Sequence, residues 1–400
     1  MADDEKALER AVAAVVDPEL GLPLGEAGMV RSVRVRRQRV EIELAAPSSP
    51  WPGADDLRRT VADVASALAG VRETEVRVGA MTERALDALR MVLRRRMAGQ
   101  TPDAAGGPGA PAAHTPGHGG HGPGGHGHSE QEQPTPSFLL PGSKTRVVGV
   151  SSGKGGVGKS SVTVNLAIAL ARAGRHVGIL DADVYGFSVP KMVGADHDPV
   201  VVGDTVVPAL CHGVRVLSMG FFVPDDTPVI WRGPMLHKAI EQFLGDAYWG
   251  EPDVLLVDMP PGTGDVTLSL AQYMARAEIL VVTTPQPAAQ RVAQRSAFAA
   301  RKLKLSVRGV IENMSWFTAD DGTRYELFGR GGGQALADDL GVPLLGQVPL
   351  VPAVREGGDD GVPVALRDPD GEAAAAFDAL AQTLLAMGPA RVYRPELSVR

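Results

Sequence analysis

The sequence predicts a mostly parallel, doubly wound α/β sheet, preceded by a small α/β domain and a flexible linker. Three observations carry this. From Lys144 onward, short aliphatic runs (RVVGVS, HVGILD, VRVLSM, DVLLVD, EILVVTT, VRGVIE, LLGQVP) alternate with helical stretches. They are apolar along their whole length, as strands covered on both faces are. The first run leads through a glycine-rich turn into a helix. Before Lys144, a stretch rich in Gly, Pro, Ala and His has no apolar periodicity and cannot repay its ordering entropy. The chain thus divides into a small domain (1–97), a linker (98–140), a larger domain (141–387) and a tail (388–400).

In the small domain, periodicity predicts a helix over Asp4–Val16, ended by Asp17-Pro18, and alternating strands over Met29–Arg36 and Arg39–Leu44. A helix over Ala54–Leu68, a short strand Glu75–Val78 and a helix Glu83–Met97 follow. Arg34, Arg36, Arg37, Arg39 and the run Arg94–Arg96 lack interleaved aromatics, so they read as solvated faces rather than a nucleic-acid surface. The linker holds His114, His118, His121, His126 and His128, five of the nine histidines. It is either a polar spacer or a tract for Zn²⁺, Ni²⁺ or Cu²⁺. In both cases it gives the small domain room to move against the larger one.

In the larger domain, strand Arg146–Val150 and helix Lys159–Ala173 flank Gly153-Lys154-Gly155-Gly156-Val157-Gly158-Lys159-Ser160, which fits G-x-x-x-x-G-K-[ST]. Glycines let backbone N–H groups close on phosphates, and the helix N-terminus adds partial positive charge. Lys159 is expected on the β/γ-phosphates, Ser160 on Mg²⁺, and Ser161 beside them in the first turn. Asp258, ending Val254–Asp258 and opening DMPPGTGD, is the candidate second oxygen ligand of Mg²⁺. Asp181 and Asp183 end another strand, and Asp183 is a candidate for orienting the attacking water or for binding outer-sphere to Mg²⁺. Strand-end carboxylates can also merely cap turns. Gly331–Gly333 reads as a loop into helix Gln334–Leu340, and AAAAFDALAQTLLAM as a helix packed on the sheet rather than on a membrane.

The bulk numbers set the frame. Four hundred residues, 44% hydrophobic and 22% charged, suit two or three folded domains. A formal net charge of -7 gives no bulk attraction to nucleic acid or anionic membrane. MADDEKALER lacks the apolar core of a secretory leader, and no apolar run nears the roughly 20 residues of a spanning helix. The single cysteine, Cys211, excludes an intrachain disulfide and fits a cytoplasmic location. Beside strand Val214–Ser218, it reads as packing or as the one candidate thiolate ligand.

Lys154 is one lysine more than the loop needs. KGGVGKS resembles the deviant phosphate loop of the MinD/ParA/ArsA/nitrogenase-iron-protein class of P-loop NTPases. There the resemblance implies a homodimer in which Lys154 crosses to the partner's nucleotide. DADVYGFSVPKM, VIWRGPML, DVLLVDMPPGTGD, TTPQ, IENMSWF and FGRGGG together resemble the Mrp/ApbC family of iron–sulfur carrier ATPases over about 141–385. VVDPELGLPLGEAGMVRSVRV resembles the SufT/PaaD-like domain fused in front of it. The resemblance implies ATP and Mg²⁺, delivery of Fe–S clusters to apoproteins, slow switch-type hydrolysis, and Asn313 against the adenine ring. No N-K-x-D appears, which favours ATP over GTP.

The sequence departs from the family where relatives carry C-x-x-C after NMS. Here that region holds Thr318, Ala319, Asp320 and Asp321, and the small domain has Ser49-Pro50 in place of Cys-Pro. A cluster usually takes four thiolates, and a homodimer of this chain offers two. Three readings stay open: a carrier with unusual ligands, a nucleotide-dependent interaction switch that holds no cluster, and a nickel or zinc chaperone using the linker.

Overall fold

A computed structural model describes residues 2–36, 38–67, 71–100, 143–184, 186–222, 233–262, 273 and 277–389. The histidine tract, Trp231 and Arg232 of VIWRGPML, Thr263–Asp265 and the tail from Ala390 lie outside the described residues.

The small domain runs α1 (Ala2–Ala14), β1 (Val16–Asp17), β2 (Leu22–Pro23), β3 (Val30–Arg36), β4 (Arg39–Ala46), α2 (Ala54–Ser66), β5 (Glu73–Ala80) and α3 (Glu83–Met97). Helix α1 stops short of Val16 because Val16 and Asp17 pair with Pro23 and Leu22 in a miniature hairpin. Asp17 ties that hairpin down: its carboxylate accepts from Leu20 N (2.8 Å) and Trp51 Nε1 (3.0 Å). Strand β5 is longer than expected because β4 offers it a parallel partner from Arg39 to Ala46. Alternate β4 residues Val40, Ile42 and Leu44 pack with Leu8 and Val12 of α1 and Leu57 and Val61 of α2.

The larger domain continues with β6 (Arg146–Ser152), α4 (Lys159–Arg172), β7 (Val177–Asp181), α5 (Val189–Met192), β8 (Val200–Val202), β9 (Thr205–Val207), β10 (Ala209–Cys211), β11 (Val214–Ser218), α6 (Gly233–Gly245) and β12 (Val254–Asp258). It ends with β13 (Glu278–Thr283), α7 (Pro287–Lys302), β14 (Ser306–Glu312), β15 (Phe317–Thr318), β16 (Arg324–Tyr325), α8 (Gly332–Leu340), β17 (Leu344–Gln347), α9 (Pro352–Asp360), α10 (Val364–Arg367) and α11 (Glu372–Ala386). Eight strands form one sheet in the order β10-β11-β7-β12-β6-β13-β14-β17. All neighbours are parallel except β10 and β11. Strand residues alternate between two cores. Val148 and Val150 face α4 and α11, while Val147 faces the side of α6, α7 and α8. The expected C-terminal helix is α11; it buries Phe377 completely, worth roughly 1.5–3 kcal/mol. Among the described residues no helix is long and apolar enough to cross a membrane.

The hairpin β8–β9 and strand β10 carry no clear sequence signal, and they form the seam with the small domain. Val202, Val207 and Tyr248 share one apolar cluster with Leu20 and Leu93. Arg90 clamps Asp204 through two bonds of 2.8 Å, and Arg94 joins the same carboxylate. Arg215 donates to the Glu19 carbonyl (2.6 Å) and lies over the Tyr248 ring. Arg96 pairs with Glu26 inside the small domain. The basic run is therefore partly committed to ion pairs rather than wholly solvated. The small domain is docked, where the linker alone suggested freedom.

Candidate nucleotide site

The residues that bear the chemistry lie at the carboxyl ends of β6, β7, β12, β13 and β14. The glycine loop leaves β6 between β12 and β13, near the middle of the sheet, where open α/β sheets bind ligands. Gly156 and Gly158 both have φ of 78°, a left-handed conformation that glycine adopts without strain. A Cβ on Gly153 would lie 2.1 Å from Ala293 N, so this glycine seats the loop against α7. A Cβ on Gly155 or Gly156 would meet nothing within 4 Å, which marks the open face of the loop. Val157 is buried and anchors the loop in the core. Gly158 caps α4 without a side-chain bond. The first-turn N–H groups of Lys159, Ser160 and Ser161 therefore receive no side-chain cap from that position.

Asp258 is the centre of the site and is fully buried. Its Oδ2 accepts from Lys159 Nζ (2.7 Å) and Ser160 Oγ (2.6 Å), and its Oδ1 from Thr163 Oγ1 (2.8 Å). Lys159, Ser160 and Thr163 share one face of α4 because helix neighbours fall three and four residues apart. Asp183 Oδ2 is 3.6 Å from Lys159 Nζ, so two carboxylates flank one ammonium. Burial raises the Asp183 carboxyl, and Lys159 opposes that rise. Asp181 is pushed up to about 7, first by burial and then by the Asp258 charge. Ser218 Oγ donates to its Oδ2 (2.9 Å). Sequence reasoning thus placed Lys159, Ser160, Asp183 and Asp258 in one cluster, and the structure brings them together.

Lys154 stands apart on the rim, with Nζ 3.4 Å from Gln286 Oε1 at the start of α7. Asn313, expected against adenine, lies beside the glycine loop. Its Nδ2 donates to the Val157 carbonyl (2.9 Å), and it crowds Gly158. Of the FGRGGG glycines, Gly332 and Gly333 are close-packed: a Cβ on Gly333 would lie 2.6 Å from Glu312 Cβ, and Glu312 accepts from Gly333 N, while Gly329 and Gly331 face open space. Thr163, Ser218 and Gln286 carried no expected role. For Thr163 alone a signal existed, its placement one turn beyond Ser160.

The donor set fits Mg²⁺. A hydroxyl and a carboxylate meet at Ser160 and Asp258, and two carboxylates, Asp183 and Asp258, flank one ammonium. Hard oxygens with excess negative charge suit that cation. No comparable fit exists for a metal at Cys211. It lies in β10, buried in the apolar cluster, and burial pushes its thiol up to about 12. Among the described residues no group of three or more His, Cys, Asp or Glu is arranged to hold a metal ion. Thr318–Asp321 lie in and after β15 on the way to β16, with Ala319 N bonded to Thr323 O and Asp321 Oδ1 to Thr323 N.

A family model described as the NUBPL iron-transfer P-loop NTPase matches residues 143–385. The chain belongs to this family. A second model, described as an iron-sulfur cluster assembly protein, matches residues 5–78. An iron-sulfur cluster carrier protein of Mycobacterium leprae is 41% identical over 376 residues, covering 92% of this chain and 89% of the relative. One of Deinococcus radiodurans is 41% identical over 386 residues, covering 94% of each. Among solved structures, a nucleotide-binding protein of Archaeoglobus fulgidus in complex with ADP is 33% identical, with a TM-score of 0.50. It covers 58% of this chain and 93% of that one. The match to this NUBPL-type NTPase begins just before β6 and ends in α11, so it holds the whole nucleotide site. The resemblance to iron–sulfur carrier ATPases drawn from the sequence is borne out.

Proposed function

We propose that this protein is an ATP-hydrolysing iron–sulfur cluster carrier, working in the cytoplasm as a homodimer that delivers clusters to apoproteins. The observation that carries the ATPase part is the convergence of Lys159, Ser160 and Thr163 on buried Asp258. Lys159 would exchange its carboxylate contacts for the β/γ-phosphates, and Ser160 and Asp258 would hold Mg²⁺. When bound, that ion supplies neutralisation of charge on the transferring phosphoryl group. Asp183 orients water and takes its proton; burial raises its carboxyl and Lys159 opposes that rise. Water attacks the γ-phosphorus, the bond to the bridging oxygen breaks, and ADP and phosphate form. Lys154, parked on Gln286, would reach the partner's nucleotide on dimer closure and stabilise the transition state. Turnover is slow in this reading because closure is the work the cycle performs. Asn313 props the loop.

The cluster is cargo. The two Cys211 thiols of a dimer are buried and fall short of a four-thiolate set, so donors other than Cys211, from a small thiol or the recipient, would carry the ligation. The same buried thiol favours the second reading, a nucleotide-dependent switch that holds no cluster. Anaerobic loading with iron, sulfide and a small thiol, followed by transfer to an apo-ferredoxin, separates them. The carrier reading expects retained iron and sulfide and transfer that depends on ATP. Retention of neither, with ATP hydrolysis intact, would leave the switch.

A further inference from the structure

Thr163 lies outside the phosphate loop, yet its side chain reaches the centre of the site. It is fully buried in α4. Its Oγ1 stands 2.8 Å from Asp258 Oδ1 and 3.0 Å from the Lys159 carbonyl four residues back. A helical threonine commonly returns its single hydrogen to that carbonyl. Here a carboxylate competes, and the charged acceptor makes the stronger bond.

The consequence is a division of labour on Asp258. Oδ1 points to Thr163, away from the loop, while Oδ2 meets both Ser160 and Lys159. A carboxylate free to rotate about its last torsion would present either oxygen, since that torsion is broad. We propose that Thr163 is a positioning residue: its hydroxyl pins Oδ1 so that Oδ2 is presented to Ser160 and to the metal. This rests on the reading of Asp258 as a Mg²⁺ ligand. Thr163 touches neither nucleotide nor metal in this account; it acts through Asp258.

The test uses the full-length protein as Thr163→Val, Thr163→Ser and Asp258→Asn. Calorimetry measures affinity for ADP and for the imido analogue of ATP, with Mg²⁺ and without. Thr163→Val is expected to lose about tenfold or more of the Mg²⁺-dependent gain in affinity, while affinity without Mg²⁺ stays within twofold. Thr163→Ser keeps the hydroxyl and is expected to restore the gain. Half-maximal Mg²⁺ for hydrolysis should rise in parallel. If Thr163→Val does not melt cooperatively, Thr163→Ala against Thr163→Ser decides by the same readout. A Thr163→Val or Thr163→Ala protein with the wild-type gain would overturn the inference. If Asp258→Asn also keeps the gain, the reading of Asp258 fails. If Asp258→Asn loses it while Thr163→Val does not, only the role of Thr163 fails.

Discussion

Asp258 and Cys211 are both buried in the same large sheet, on β12 and β10, and the fold treats them in opposite ways. Asp258 has a donor on each oxygen and an ammonium beside it. Cys211 sits among Val214, Val216 and Ala209 with its thiol pushed up to about 12. A buried charge survives only when it is paired and hydrogen-bonded, and such an arrangement is built for use. A buried thiol with no cation beside it is a small apolar side chain. The difference locates function: the nucleotide pole is assembled residue by residue, and the only cysteine is packing.

The largest effect that could break this contrast comes from Lys154. Lys154→Ala is expected to lower the steady-state ATPase rate about 10³-fold while ATP affinity changes little, the size expected for a cation supplied in trans. An unchanged rate would remove the dimer argument. Asp258→Asn should cost about 10²-fold in rate and abolish the Mg²⁺ dependence of nucleotide binding. The seam sharpens the comparison, because it should not touch chemistry. Arg215→Ala removes the bond to the Glu19 carbonyl and the contact with Tyr248, together about 2 kcal/mol. Denaturant unfolding and limited proteolysis should show a loosened small domain at an unaltered ATPase rate.

The smallest effect concerns Cys211 and pH. Its thiol rises from an ordinary 9.0 to about 12 on folding, so the folded chain holds this proton more tightly than the unfolded chain. Its contribution to stability is full below pH 9 and fades as pH climbs through 12. Iodoacetamide labelling at pH 9 should be about 10²-fold slower for the native protein than in denaturant. Fast native labelling would show an accessible thiolate and revive Cys211 as a ligand.

The nucleotide loop was legible because its glycines and lysines fix a backbone shape within eight residues. Asp258 was legible because an apolar parallel strand ends at it. What stayed hidden depends on distant partners. Thr163 meets Asp258 across 95 positions and Lys154 meets Gln286 across 132. Asn313 reaches back 156 positions to Val157, a contact that no local pattern announces. The seam was unreadable for another reason. Strands β8 and β9 are three residues each in a stretch broken by Pro199, Gly203, Asp204 and Pro208, and only docking against the small domain gives them a core.

The most direct test of the central claim compares wild type with Cys211→Ser after anaerobic reconstitution with iron, sulfide and a small thiol. Iron and acid-labile sulfide are counted per dimer. The account predicts the same content in both proteins, because Cys211 packs the core and donors other than Cys211 carry the ligation. A cluster present in wild type and lost in Cys211→Ser would contradict it and make the buried thiol a ligand.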